Sequence, residues 1–368
     1  MNYLCIVKLT LKIKLIPLDE QAKLLTDTII EFNNACNEIS NVAWDNKTFN
    51  TFKLHHLTYH HIKSSFKLSA QLVVRAIAKV SDSYKIDKKI KRVFRPMGAI
   101  TYDSRIMTYS PNNIVSLSTI DGRTKIPFIC HRPDWLPYIK GEADLLCRKG
   151  KYFLFQTVEF PDEEIQDIEE FIGVDMGLVD IATLSNGKSF NSKELQNYRE
   201  KRQNVRSSLQ SKGTKNAKKV LKRLSGKERT HGTIINHTIS KNIVQLAKSE
   251  GKGIAIEDLT GIKFSANSKG KKFRTRVGKW SFNQLRNFLT YKSLMNGVKL
   301  ITIAPAYTSK TCHNCFHIGN RKGKVFECKN CNSVFDADYN AAINIGLLGV
   351  AINQPEKPSM LYCKVHSS

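Results

Sequence analysis

From Leu9 to Leu15 apolar residues alternate with Thr10, Lys12 and Lys14, the two-residue period of a half-buried strand. At "PLDEQAKLLTDTIIEFNNACNEIS" the period lengthens, so that Leu25, Ile29, Phe32, Cys36 and Ile39 share one face of a predicted helix. A second helical stretch, "LSAQLVVRAIAKVSDSYKIDKKIKR", has Ser69 as its N-cap and lysines gathered at its far end, where the helix dipole favours them. From about Phe94 to Phe160 the texture is of strands with tight turns at "DGR" and "RKGK". The first strand and this later sheet are expected to form one β-barrel interrupted by the helices.

A new pattern begins at "FIGVDMGLVDIATLSNGKSF": an apolar strand ending in Asp175, a second strand from Leu178, and a turn at Ser185–Gly187. This hairpin resembles the opening of an RNase H-like sheet. Further on, "HTISKNIVQLAKSEG" reads as a helix stopped at Gly251, and "GIAIED" as a buried strand ending in Glu257 and Asp258. "WSFNQLRNFLTYKSLMNGVKLITIA" predicts an amphipathic helix carrying Leu285, Phe288 and Leu289, followed by another buried strand, with Trp280 and Phe282 read as core. The stretch after Gly349 has no readable pattern.

Charge changes this picture. The 368 residues carry a net charge of +26, an excess typical of proteins that bind a polyanion. The excess concentrates between Tyr198 and Gly232, where Arg199, Arg202, Arg206, Lys215, Lys218, Lys219, Lys222 and Arg223 stand against few acids. These residues are candidates for backbone phosphate contact, with a solvated helical pair as the plainer alternative. No apolar run approaches the roughly 20 residues that span a bilayer. The lysine-broken "MNYLCIVKLTLKIKLI" therefore reads as a strand rather than a signal peptide, and a cytoplasmic location without a membrane partner is expected.

Nine cysteines are present. Cys5, Cys36, Cys130, Cys147 and Cys363 are scattered, which with the odd total argues for a reducing compartment rather than a disulfide framework. Cys312, Cys315, Cys328 and Cys331 instead form two matched C-x-x-C units, a thiolate set suited to one structural Zn²⁺ in a segment too short to build a core. Four cysteines satisfy the metal, so His313 and His317 read as bystanders. His55, His56, His60 and His61 lie at helical spacing and read as a polar, nucleic-acid-facing helix rather than a metal site.

The acids form a second constellation. In an RNase H-like sheet the first and fourth strands are neighbours, and a helix packed across their ends adds a third carboxylate. Asp175, Glu257 and Asp338, the last at the head of "DYNAAINIGLLG", occupy such places. Three hard oxygen donors there suit two Mg²⁺ or Mn²⁺ ions and phosphodiester hydrolysis. Asp180 lies within the second strand. Asp258 is expected to point away from the metals and cap the next loop, Asp336 to support or replace Asp338, and Asn340 to orient a carboxylate or a water.

"GVDMGL", "GIAIEDL", "YTSKTCHNC", "CKNC" and "DADYNAAINI", in that order, together with "FNNACNEIS" and "LSAQLVVRAIAKV", resemble TnpB, the transposon-encoded RNA-guided endonuclease family to which type V CRISPR effectors are related. The resemblance implies an α/β RuvC nuclease domain of RNase H-like fold (167–307 and 333–352) split by a zinc ribbon (308–332). Ahead of it come a wedge-like β-barrel (1–16 and 93–166) interrupted by a helical recognition lobe (17–92), and a tail follows (353–368). It also implies Asp175, Glu257 and Asp338 as catalytic acids, a guide RNA and a target DNA as partners, and magnesium-dependent cutting. Lys310, Arg321, Lys322 and Lys324 would face the substrate strand. A nuclease-dead RNA-guided repressor would lack one or more of the acids, and a transposase acting on transposon ends would need strand-transfer chemistry for which no separate motif is present. Phe316 and Asn332 stand where the family commonly has glycine after each C-x-x-C, and only Asn tolerates a left-handed backbone readily.

Overall fold

A computed structural model of the chain describes residues 7–161, 168–259 and 282–353. Cys5, Trp280, Cys363 and all of the expected tail except Asn353 lie outside the described residues. The chain divides into two compact units, Ile6–Phe160 and the part from Pro161 onward.

In the first unit, β1 (Val7–Leu15) buries Val7, Leu11, Ile13 and Leu15 and leaves its lysines at the surface. Three helices follow: α1 (Asp19–Asp45), α2 (Thr51–Ser65) and α3 (Ala70–Ile86). Asn50 caps α2 by accepting from the Phe52 and Lys53 amides, and Ser69 caps α3 by accepting from Leu72 N. The chain then forms β2 (Ile100–Tyr102), β3 (Met107–Ser110), β4 (Ile114–Thr119), β5 (Gly122–Cys130), β6 (Ile139–Arg148) and β7 (Lys151–Phe160), in a sheet of order β2-β6-β7-β1-β5-β4-β3. The N-terminal strand is central, antiparallel to both β5 and β7. β2 and β3 are the ends of this order but are only a turn apart in sequence. A flat seven-stranded sheet would separate its ends by nearly 30 Å, so the sheet has to curl on itself. Tyr102 at one end accordingly donates its hydroxyl to Ser118 O of β4, the strand next to the other end, at 2.8 Å.

The second unit is built on a five-stranded sheet of order β10-β9-β8-β11-β12. β8 (Phe171–Asp175), β9 (Asp180–Leu184) and β10 (Ser189–Asn191) run antiparallel, whereas β11 (Gly253–Glu257) and β12 (Leu300–Ile303) lie parallel to β8. Three basic helices separate β10 from β11: α4 (Lys193–Lys212), α5 (Lys215–Leu224) and α6 (Lys227–Glu250), the last stopped by Gly251 at φ +65°. α7 (Phe282–Met295) precedes β12, and Phe282 is buried. A small sheet of β13 (Asn320–Lys322), β14 (Val325–Glu327) and β15 (Val334–Asp336) then leads directly into α8 (Ala337–Asn353). The ribbon thus extends to Asp336, beyond the boundary expected at Asn332.

Strand alternation decides which helix each face of the large sheet meets. Ile172, Val174, Ile254 and Ile256 pack with Ile239, Ile243 and Val244 of α6 and with Leu285 and Leu289 of α7. Phe171 and Ala255 face the other way, towards Ile345 of α8. Gly173 shares that second face, and α8 sits so close that a Cβ there would lie 1.9 Å from Ala342 O and 2.4 Å from Gly346 N. Backbone cannot yield as a flexible side chain does. Gly173→Ala is therefore expected to cost about 3 kcal/mol or more in urea unfolding, with Gly187→Ala, where only a left-handed φ of +86° and no backbone clash opposes the methyl, as the milder control.

Candidate metal centre and its ribbon

The same alternation places the acids. Asp175 and Glu257 are in phase with Gly173 and Ala255, so both belong to the face covered by α8. The β8–β11 register pairs Val174 with Ile256, and one step further Asp175 stands beside Glu257. Asp338, in the first turn of α8, supplies the third carboxylate. Glu257 and Asp338 are buried and Asp175 half-buried. Asp175 is pushed up to about 7, first by desolvation and then by the negative charges of Glu257 and Asp338. Burial also raises Glu257, opposed by a hydrogen bond from the Thr308 hydroxyl and by the charge of Arg321.

Crowded carboxylates that raise one another's proton affinity form a hard-oxygen donor set with room for positive charge, which fits Mg²⁺ or Mn²⁺. Among the described residues only the cysteines bring one ligand atom each within 4.8 Å of all the others, so the three acids form a more open group.

Cations of the ribbon already reach this site. Arg321 donates from Nη2 to Asp338 Oδ1 at 2.6 Å, and Lys324 pairs with Asp180 while lying 4.0 Å from Asp338 Oδ2. Asp336 caps α8, accepting from the Asp338 and Tyr339 amides at 3.0 and 2.9 Å. Asp258, out of phase with Glu257, accepts from Arg286 of α7 at 2.7 Å, on the side away from α8.

Asn340 has a different task from the one its position suggested. Its side chain is fully buried and orients no carboxylate. Oδ1 accepts from His313 N at 3.0 Å and lies 2.9 Å from His313 Nδ1, while Nδ2 donates to Thr311 O at 2.8 Å. One turn on, Asn344 donates to Thr308 O at 2.9 Å and to Thr311 O at 2.7 Å. These two residues bind the loop entering the ribbon to α8, and Asn344, through Thr308, helps to fix Glu257. Thr308 and Asn344 were not singled out from the sequence, although two asparagines four apart in an otherwise apolar helix are a legible sign of buried polar work. Asn340→Ala leaves buried partners unsatisfied and is expected to cost about 3 kcal/mol in thermal unfolding of the zinc-loaded chain.

In the ribbon, Sγ atoms lie 3.7 Å apart for Cys312 and Cys331 and 3.4 Å apart for Cys315 and Cys328. A tetrahedron with 2.3 Å zinc–sulfur bonds has edges of about 3.8 Å, so the four thiols fit one zinc ion. Each knuckle turns through a left-handed residue, Phe316 at φ +61° and Asn332 at φ +52°. Phe316 therefore adopts the strained conformation that its substitution for glycine implied. His317 approaches Cys315 O through Nδ1 at 3.1 Å, and neither histidine joins the sulfur cluster.

The basic helices divide into two kinds of side chain. Arg199 and Arg206 both pair with Glu228, at 3.3 and 3.5 Å, and so help clamp α4 to α6. Arg202 lies over the Tyr198 ring at 5.0 Å. Lys215, Lys218, Lys219, Lys222, Arg223 and Lys310 are exposed. On α2, His55 stacks on Tyr59 and His61 approaches Glu38 at 3.7 Å, with no metal cluster among the described residues there.

Comparison with known proteins bears on this geometry. Residues 282–345, which include α7, the ribbon and the first half of α8, match the Cas12f1-like TNB domain family. A TnpB-like protein of Methanocaldococcus jannaschii is 34% identical over 151 residues, 41% of this chain and 54% of that protein. The CRISPR-associated endodeoxyribonuclease Cas12f1 of Sulfoacidibacillus thermotolerans is 31% identical over 221 residues, 54% of this chain and 51% of that one. The chain is a relative of the TnpB-like and Cas12f proteins. It spans about half the length of the curated relatives it matches. A cryo-EM structure of a Cas12f1–sgRNA–target DNA complex shares its fold, with a TM-score of 0.62 at 16% identity over 90% of this chain and 83% of that one. No helix among the described residues is long and apolar enough to cross a membrane.

Proposed function

We propose that the chain is an RNA-guided DNA endonuclease of the TnpB type, encoded by an insertion sequence and acting in the cytoplasm. The observation that carries the reading is the convergence of Asp175, Glu257 and Asp338 on one face of a sheet whose chain order, 3-2-1-4-5, is that of RNase H-like and RuvC nucleases. The names of the relatives, endodeoxyribonuclease and TnpB-like, agree with it. On this reading 167–307 with 337–352 form the RuvC domain, the curled sheet of the first unit is the wedge, and α1–α3 are the recognition lobe.

Asp175, Glu257 and Asp338 would hold two Mg²⁺ ions, which when bound supply Lewis-acid activation of water and stabilisation of the leaving oxygen. Thr308 keeps Glu257 oriented by donating to one carboxylate oxygen and leaving the other free. Arg321, held at Asp338, is placed to meet the charge that grows on a phosphate entering the site. The exposed lysines of α5 would track nucleic-acid backbone, whose contacts weaken steeply with salt. The four cysteines would hold Zn²⁺ in a purely structural role, fixing the strand that carries Arg321 and the β15–α8 junction from which Asp338 is presented.

The test is to purify the chain from cells carrying its own locus, sequence the co-purifying RNA, and assay cleavage of matching DNA with magnesium. A defined RNA running into the neighbouring element, and cutting only with that RNA, is expected. Equal cleavage after RNA removal would refute the guided reading.

A further inference from the structure

Asp180, which opens β9, is nearly covered and belongs to none of the three positions proposed to hold ions. Its partner is Lys324. Lys324 follows the β13–β14 turn at Gly323, where φ is +65°, and its carbonyl accepts from Ala337 N at the start of α8 at 2.7 Å. The lysine backbone is thereby tied to the same turn of α8 that carries Asp338, and its ammonium stands between two carboxylates. It pairs with Asp180 and remains 4.0 Å from Asp338 Oδ2. Released from Asp180, the ammonium needs only a small side-chain rotation to pair with Asp338, where it would compete with any incoming cation.

We propose that Asp180 is a positioning residue that holds the Lys324 ammonium off Asp338 and so leaves the acid cluster open to divalent cations. This rests on the reading that Asp175, Glu257 and Asp338 bind such ions. Arg321 is the contrasting case: it pairs with Oδ1 of Asp338 at 2.6 Å, so the oxygen from which Asp180 draws Lys324 away is Oδ2.

The test measures Mn²⁺ binding to the zinc-loaded, nucleic-acid-free full chain by electron paramagnetic resonance, with melting temperatures to confirm folding. Asp180→Asn should weaken Mn²⁺ binding about fivefold and Lys324→Met should strengthen it by a similar factor. Loss of a merely structural bridge would move both variants the same way. A change in field alone would give Asp180→Asn an equal cost with and without Lys324. The double variant separates these: in the Lys324→Met background Asp180→Asn should cost less than about twofold, and Lys324→Arg should behave as the parent chain does. Additive effects, or equal signs for the two single variants, would overturn the proposal. Asp175→Asn tells the two readings apart. If it leaves Mn²⁺ binding unchanged, the metal reading itself fails. If it abolishes binding while the cycle is additive, only the role of Asp180 fails.

Discussion

Asp175→Asn is expected to lower DNA cleavage by about a thousandfold or more while RNA and DNA binding stay within about twofold of the parent chain. Asn keeps the shape and removes the charge. Asp175 feels the charges of both Glu257 and Asp338, so its loss strips oxygen donation from the proposed ions without touching the lysines that would grip phosphate. Single-turnover cleavage and filter binding on the same preparation check both halves, and a parallel loss of binding would count against this division of labour. The same variant has a thermodynamic signature. Asp175 is raised from its ordinary value of 3.8 to about 7, so between those values the folded chain binds more protons than the unfolded one. Stability of the metal-free protein should therefore fall as pH rises from about 4 to about 7. Asp175→Asn should flatten that fall, as should added Mg²⁺, because each removes the uncompensated negative charge. Chelator-treated protein melted across this range reads the effect directly.

Cys328→Ser is the second large effect. Structural zinc contributes about 10 kcal/mol or more to folding in small zinc domains, and the apolar cluster under this ribbon is small: Phe326 and Ala337 with the cysteines themselves. The variant should bind less than one zinc per chain, lose protection of the amides of β13–β15, and cut poorly. Cutting should suffer because Arg321 and Lys324 reach the acids from the β13–β14 hairpin that the metal would hold, and because the chain passes from β15 into α8 without a linker. The five-stranded sheet should remain folded. Hydrogen exchange would show the loss confined to the ribbon and the first turn of α8, and full cleavage by a zinc-free variant would separate the ribbon from catalysis.

The elements and the acids differ in how they could be read in advance. β1, α1 and α3 announced themselves through period and caps, because burial of one face leaves a repeating mark on the chain. The C-x-x-C pairs were equally plain, since a zinc site in a short segment needs its ligands close in sequence. Asp175, Glu257 and Asp338 could be singled out only by assuming a sheet topology, for each is an ordinary strand-end or helix-start acid alone. Asn340 shows the limit. Its neighbours in sequence are Asp338 and apolar residues, so a role beside the carboxylate was the natural expectation. Its actual partners, Thr311 and His313, lie 29 and 27 residues away. Charge alone places Arg199 and Arg206 among the phosphate-facing residues, yet both side chains are engaged with Glu228 on a neighbouring helix.

Local periodicity, turn chemistry, ligand spacing and a surplus of lysine and arginine are properties of short stretches, and they were complete in the chain before it folded. Contacts between stretches far apart were not: the phase that turns Asp175 and Glu257 towards α8, the hold of Thr308 on Glu257, and the pairing of Lys324 with Asp180 rather than Asp338. Those depend on which strands become neighbours and how closely α8 lies on Gly173, and no single segment carries that information because it arises from packing all of them at once.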